Sequence, residues 1–211
     1  MRRLIFVEGN VGSGKTSALN HLAARLNSPG TVILREPVEN WRNVNGHNIL
    51  DLMYKNPEKY GFSFQCYVFI SRMQQILNST GDIIIAERSI FTDRYVFLES
   101  LFRLGKITDA EKEIYNTMWD FWTGIFESKL TNFSVEFLYI KCAPEKCFDH
   151  VQKRDRKEEN GIELSYLQIL GQTHDELYGK KELFWSGPRQ ITIIENHGTP
   201  DFFDKIFDFF A

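Results

Sequence analysis

The segment MRRLIFVEGNVGSGKTSALN, residues 1–20, restricts the possible folds more than any other part of the chain. Leu4, Ile5, Phe6 and Val7 form an apolar run with the character of a buried strand. Gly9-Asn10-Val11-Gly12-Ser13-Gly14-Lys15-Thr16 follows and matches GxxxxGK[ST] in full. A helix pattern opens directly after it. A strand, a glycine loop and a helix start, in that order, separate a phosphate-binding loop from an ordinary glycine turn. Glycines let the backbone curl until several N–H groups face one anion, and the helix N-terminus adds its dipole. Lys15 then reaches the β- and γ-phosphates, and Thr16 offers its hydroxyl to Mg²⁺. The loop predicts nucleoside triphosphate binding and is silent about the reaction.

Such a loop needs a parallel sheet behind it. Nearly continuous apolar runs at 3–8 (RLIFVE), 31–35 (TVILR), 82–86 (DIIIA), 136–141 (EFLYIK) and 190–195 (QITIIE) predict five strands buried on both faces. Helix patterns occupy 15–26, 58–77, 91–104, 109–128, 144–154, 164–178 and 200–210. Pro57, Pro144 and Pro200 stand near helix starts, where a missing N–H costs little. The alternation predicts a doubly wound α/β fold, a five-stranded parallel sheet flanked by helices. At 211 residues and 43% hydrophobic, without repeat or linker, 1–211 reads as a single domain with a full core. The charged run KRDRKEENG at 153–161 reads as an exposed, mobile segment.

A net charge of −3 argues against a broad basic surface, and so against a nucleic-acid polymer as partner. A small anion held by a few local arginines stays compatible. Cys66, Cys142 and Cys147 are odd in number and lack paired spacing, which argues against a disulfide framework. Without a Cys/His pair elsewhere, they argue against zinc as well. No apolar run is long enough to span a membrane. The first strand begins within a few residues of Met1 and leaves no room for a signal or transit peptide. A cytoplasmic protein with no membrane association is expected.

Among phosphate-loop classes, the NKxD segment for guanine and the LSGGQ signature of transport ATPases are both missing. The third strand ends in Ala86-Glu87 rather than Asp. Small-molecule kinases lead. Ligands of open α/β sheets bind beyond the carboxyl ends of the strands. Glu36-Pro37 follows the second strand and Glu87-Arg88-Ser89 follows the third. Each charge alone reads as surface; together beside a phosphate loop they read as a site. A hydroxyl attacking a γ-phosphate benefits from a carboxylate that takes its proton, and Glu36 is the candidate base. Arg88 would offset charge on the transferring phosphoryl group. Glu87, with Thr16, would hold Mg²⁺ directly or through water. In the helix at 58–77, Gln65, Val68 and Arg72 share one stripe; Asp93 and Phe97 share another helix face. A buried Gln and Arg on an apolar stripe need partners. A nucleobase edge supplies them, as would a backbone carbonyl for Gln65 and solvent for Arg72.

EPVENWRNVNG (36–46), LMYKNP (52–57), FSFQCYVFISR (62–72), ERSIFTDRY (87–95) and RDRKEENGIELSYLQ (154–168) resemble, in collinear order, the deoxynucleoside kinases. That family includes deoxycytidine kinase, deoxyguanosine kinase, mitochondrial thymidine kinase and the insect multisubstrate enzyme. The resemblance runs from the first strand to at least Tyr178 and beyond that only in outline. It implies a P-loop kinase fold with a short arginine-rich lid at about 153–161. It implies transfer of the γ-phosphate of ATP, with Mg²⁺, to the 5′-hydroxyl of a deoxynucleoside in nucleotide salvage. By this resemblance Glu36 is the general base and Arg88 assists at the same hydroxyl and phosphate. Glu87 is the Mg²⁺-associated carboxylate. Tyr54 and Glu159 hold the sugar 3′-hydroxyl. Trp41, Phe64 and Phe97 surround the base, and Gln65 bonds its edge; without the resemblance Trp41 and Phe64 read as plain core. Arg154 and Arg156 clamp the donor phosphates. A family arginine about one turn earlier is replaced here by His150, which predicts some pH dependence of donor affinity.

Arg72 and Asp93 carry the expected base preference. In the resemblance, thymidine-preferring members have small or apolar residues at these two places, whereas the deoxycytidine and deoxyguanosine members have Arg and Asp. Asp accepts from an exocyclic amino group and Arg donates to ring nitrogens or a carbonyl. A wrong base leaves such groups unpaired. Deoxycytidine and purine deoxynucleosides are therefore expected over thymidine, with a thymidine-preferring or broad-specificity enzyme as the alternative. A thymidylate-type nucleoside monophosphate kinase is suggested by Thr92-Asp93-Arg94-Tyr95, but Glu36 would repel the acceptor's phosphate. A non-catalytic nucleotide-binding protein would be expected to lack Lys15, Glu36 or Arg88. The family also implies a homodimer through a helix bundle, to which the aromatic-rich stretches 91–104 and 109–128 are suited. It further implies feedback inhibition by a deoxynucleoside triphosphate that reaches from the donor loop into the acceptor pocket.

Overall fold

The computed structural model describes residues 1–26, 28–179 and 189–210. Strands β1 (Arg2–Glu8), β2 (Thr31–Leu34), β3 (Ile83–Glu87), β4 (Phe133–Lys141) and β5 (Arg189–Glu195) form one parallel sheet in the order β2-β3-β1-β4-β5. The most apolar run lies at its centre: Leu4, Ile5 and Phe6 are fully buried. β4 is longer than its apolar run predicts, because Phe133, Ser134 and Val135 pair with Arg2, Arg3 and Leu4 of β1. β2 is an edge strand and only half-buried along its length, contrary to the expectation of two covered faces.

Successive strand residues point to opposite faces of the sheet, and each face has its own core. On one side Ile5, Val7, Ile85, Leu138 and Ile140 meet Ala18, Leu19 and Leu22 of α1 (Lys15–Arg25) and Phe202 and Ile206 of α10 (Phe202–Phe210). On the other, Leu4, Phe6, Ile84, Val135 and Phe137 meet α4 (Pro57–Leu77), α7 (Asp109–Lys129) and α9 (Leu164–Gly179) through Phe69, Trp119 and Leu167. Each buried Val, Leu, Ile or Phe among them contributes roughly 1.5–3 kcal/mol by leaving water. A smaller cluster of Trp41, Leu50, Met53, Phe64 and Val68 joins α2 (Val38–Arg42) and α3 (Ile49–Lys55) to α4.

The long helices start where local chemistry places them. Asn56 accepts from the Lys59 N–H ahead of α4, with Pro57 in its first turn. Thr108 and Glu111 form a reciprocal capping box on α7. Pro144 opens α8 (Pro144–Arg154). Three features depart from the sequence reading. α2 and α3 span only 5 and 7 residues, too short for a helical period to register. The helix expected at 91–104 is instead α5 (Ile90–Thr92), a π-helical segment (Asp93–Leu98) and α6 (Glu99–Arg103). The run at 153–161 contains a 3₁₀ turn, Lys157–Glu159, with Glu159 buried rather than exposed. Among the described residues, no helix is long and apolar enough to cross a membrane.

Candidate active site

The carboxyl ends of β1, β2 and β3 and the start of α1 open onto one cavity of about 700 Å³. The loop at 9–16 is braced from three sides. Gly12 has φ +80, and an added Cβ there would collide with the Cys147 carbonyl of α8. Asn10 Nδ2 donates to Leu167 O at 2.8 Å, and Asn196 Nδ2 donates to Ser13 O at 2.9 Å. His150 Nδ1 lies 2.7 Å from Gly12 O, so the residue at the family's arginine position packs against the loop itself. Lys15 Nζ donates to Gly9 O at 3.0 Å and Asn10 O at 2.7 Å. Burial and the nearby Arg88 guanidinium pull its ammonium down to about 7, against Glu87 and Glu36. Thr16 Oγ1 donates to Glu87 Oε1 at 2.6 Å. These are two hard oxygen donors side by side, the type that would suit Mg²⁺.

Glu36 stands at the junction of the charges. Its Oε1 is 3.0 Å from Arg88 Nε and 3.3 Å from Arg72 Nη2. The Arg88 contact is an ion pair rather than an aligned hydrogen bond, because its Nε–H does not point along it. Desolvation favours the neutral acid, but Arg88, Arg72 and Lys15 outweigh it and hold the Glu36 carboxyl below its usual range. Arg88 has φ +69, a left-handed conformation costing a bulky residue about 1–2 kcal/mol. Arg88 Nη1 donates to Gly9 O at 2.7 Å, and its guanidinium lies 4.8 Å over the Phe97 ring. The strained turn thus aims one cation at both the loop and Glu36.

Arg72, 1% exposed, donates from Nε to Asp93 Oδ2 at 2.8 Å and from Nη2 to Asp93 Oδ1 at 3.2 Å. Its Nη1 donates to Glu87 O at 2.7 Å. Burial opposes its charge, but Asp93 and Glu36 more than offset that and hold the guanidinium above its ordinary value. Burial pushes Asp93 up to about 6 despite Arg72, with Glu36 and Glu8 adding to the rise.

Beyond this hub the cavity becomes apolar and aromatic. Trp41, Tyr54, Phe64, Gln65, Val68 and Phe97 line it together. Trp41 stacks edge-on to Phe64 with ring centres 5.7 Å apart and turns its Nε1–H away to Ser71 Oγ at 3.0 Å. Gln65 is buried, and its Oε1 has no partner among the described residues. The π segment still brings Asp93 and Phe97 to the same cavity, as expected for a regular helix. Desolvation, then Tyr166, Glu159 and Glu36, raise the Tyr54 hydroxyl well above its ordinary value.

The charged run closes the cavity. Arg154 Nη2 donates to Glu159 at 2.6 and 2.8 Å, and Arg156 Nη1 donates to it at 3.3 Å. The two arginines expected on donor phosphates therefore rest on the carboxylate expected at the sugar. Tyr166 from α9, and Asn196, Thr199 and Phe203 near the start of α10, also face the cavity and were not singled out from the sequence. Neither was a buried polar cluster behind the loop: Thr92 Oγ1 donates to Glu8 Oε2 at 2.6 Å and lies 2.6 Å from Tyr178 OH. Polar residues scattered through apolar runs leave no periodic signal.

A model of the deoxynucleoside kinase family matches residues 5–206 of this chain. The "Probable deoxycytidine kinase" of fowlpox virus is 32% identical over 203 residues, covering 95% of this chain and 80% of that protein. Human mitochondrial thymidine kinase 2 is 34% identical over 200 residues, covering 93% and 72%. Mouse deoxycytidine kinase is 29% identical over 226 residues, covering 95% and 85%.

Proposed function

The chain belongs to the deoxynucleoside kinase family, and we propose that it transfers the γ-phosphate of ATP to the 5′-hydroxyl of a deoxynucleoside. One observation carries the reading: Glu36, in contact with Arg88 and Arg72, sits between the phosphate loop and an apolar pocket in a single cavity. Glu36 takes the 5′-hydroxyl proton as that oxygen bonds to the γ-phosphorus and the bond to the β-phosphate oxygen breaks. A carboxylate held ionised is a weak base. That suffices, because a loose phosphoryl transition state demands proton removal only late. Arg88 and Lys15 face the charge on the transferring group. Thr16 and Glu87 would hold Mg²⁺, which would neutralise charge on the transferring phosphates. Arg154 and Arg156 leave Glu159 for the donor phosphates, freeing Glu159 to join Tyr54 at the 3′-hydroxyl.

Trp41, Phe64 and Phe97 enclose the base and Gln65 bonds its edge. Deoxycytidine and purine deoxynucleosides are favoured over thymidine, because Asp93 keeps lone pairs free to accept from an exocyclic amino group. A broad-specificity or thymidine-preferring enzyme is the second reading. It is favoured by Arg72 already making four hydrogen bonds to protein, which leave little of it for a base. The test is kcat/KM across the four deoxynucleosides, with Arg72→Met and Asp93→Ala alongside. A wild type preferring thymidine overturns the first reading. Phosphorylation of dCMP but not deoxycytidine overturns the acceptor assignment.

We read 1–211 as one kinase domain of a cytoplasmic salvage enzyme. Ile70 on α4 and Ile114, Phe121 and Trp122 on α7 are large apolar side chains left exposed, which suits a homodimer. A light-scattering mass of one chain would refute it. A deoxynucleoside triphosphate spanning loop and pocket would inhibit, competing with both substrates.

A further inference from the structure

Tyr54 and Glu159 reach the cavity from α3 and from the 3₁₀ turn, so a sugar site shared by them exists only while those two elements stay together. Glu158, next to Glu159, turns the opposite way. Its Oε1 accepts from Arg42 Nε at 2.9 Å and from Asn48 Nδ2 at 3.1 Å, and its Oε2 accepts from Arg42 Nη2 at 3.1 Å. Arg42 Nη1 is steadied by Glu39 at 2.8 Å. Arg42 directly follows Trp41, and Asn48 caps α3 by accepting from the Asp51 N–H at 3.0 Å. The clamp therefore grips the end of α2, beside Trp41, and the start of α3, the helix that carries Tyr54. The Glu158 side chain is 9% exposed. Its bonds with Arg42 hold the carboxyl down at about 2, so it stays charged at any working pH.

We propose that Arg42 and Glu158 are positioning residues of the acceptor site: their bidentate pair, squared by Asn48, seats the lid turn on α2–α3 so that Glu159 faces Tyr54 across the sugar. This rests on the acceptor reading above. Neither residue touches the reacting atoms. A bidentate pair fixes orientation as well as distance, and small misplacements of a binding group carry large rate costs.

The test uses the full chain with Arg42→Ala, the near-isosteric Glu158→Gln, and both together. Each single change should raise the deoxycytidine KM about tenfold while lowering kcat less, and the double should be no worse than either. Discrimination between deoxycytidine and 2′,3′-dideoxycytidine should collapse in each, because the 3′-hydroxyl has lost its partner's placement. In the ligand-free protein, amide exchange over 157–162 should quicken. Arg103→Ala, which breaks the exposed pair with Glu176, should change none of these. Unchanged exchange in both single variants overturns the clamp, as does retained 3′-discrimination or multiplying effects in the double. A wild type that phosphorylates no deoxynucleoside overturns the acceptor reading instead, and the exchange experiment still decides whether the clamp exists.

Discussion

Asn10 and Gln65 are both buried amides, each 2% exposed, one in the phosphate loop and one in the acceptor pocket. The protein uses Asn10 at both ends: Nδ2 donates to Leu167 O and Oδ1 accepts from the Val11 N–H, each at 2.8 Å. Gln65 keeps a buried Oε1 with no partner among the described residues. The same contrast extends outward. The loop is tied by Asn196, His150 and the Lys15 ammonium, and Ser13 Oγ is a buried side-chain oxygen without a partner among the described residues. Around the pocket, charged groups lean on one another and Arg88 sits in a strained backbone. The Asn10 amide serves the fold; the Gln65 oxygen is held ready for something outside it. Stability and activity should therefore separate by region when residues are changed.

The largest effect should come from the hub between the regions. Glu36→Gln keeps size and one acceptor oxygen but removes the base, and kcat should fall by about 10²–10⁴-fold. Deoxynucleoside binding, measured by calorimetry, should persist. A kcat within tenfold of wild type would remove Glu36 from the base role.

Next is Arg72→Met, which strands a buried Asp93. Losing one partner of such a pair costs about 3–5 kcal/mol, read as a fall in Tm. Asp93 already stands at about 6 through burial, and without Arg72 it would rise further. A raised carboxyl withdraws stability as pH climbs through it. The loss should thus be larger at pH 8 than at pH 5; equal losses would show that Asp93 has another partner. Thymidine should gain on deoxycytidine in kcat/KM.

Lys15 gives a smaller, graded effect. Free, its ammonium stands at about 7 because of burial and Arg88. A bound polyphosphate raises it again, so above pH 7 binding must take up a proton. ATP affinity should be level below pH 7 and weaken by up to about tenfold per pH unit above it. Titration at pH 8 in two buffers should register the proton. An affinity that stays flat from pH 7 to 9 would show that the Lys15 ammonium keeps its charge in the free protein.

How far each region could be read from sequence follows the same division. The loop occupies eight consecutive positions whose spacing alone states their chemistry, and the strand behind it announces itself as an unbroken apolar run. The pocket is assembled from Trp41, Tyr54, Gln65, Asp93 and Glu159, on five separate elements, and only a residue-by-residue resemblance joins them. α2 and α3 are too short to show a period. The π segment differs from an α-helix by one residue per turn, which no apolar pattern of that length resolves. Glu8 closes a nearly continuous apolar run, where a terminal charge reads as solvated, so its buried bond with Thr92 had no signal. The run at 153–161 reads as solvated charge because pairing by Arg42, Asn48 and Arg154 comes from folding, not from spacing.

The smallest expected effects test the opening contrast directly. Asn10→Ala removes two satisfied hydrogen bonds and leaves the Leu167 carbonyl and the Val11 N–H in a buried setting. It should cost about 1–3 kcal/mol of stability. Gln65→Leu removes a buried oxygen that has no partner among the described residues to repay its desolvation, and fills nearly the same volume. It should leave stability unchanged or raise it by about 1 kcal/mol. Its kcat/KM for deoxycytidine should nonetheless fall at least tenfold, because the base edge loses its amide. Denaturant unfolding and steady-state kinetics on the two variants give four numbers with opposed signs. A Gln65→Leu protein as destabilised as Asn10→Ala would mean that Gln65 serves the fold after all, and that the unpartnered oxygen marks no ligand.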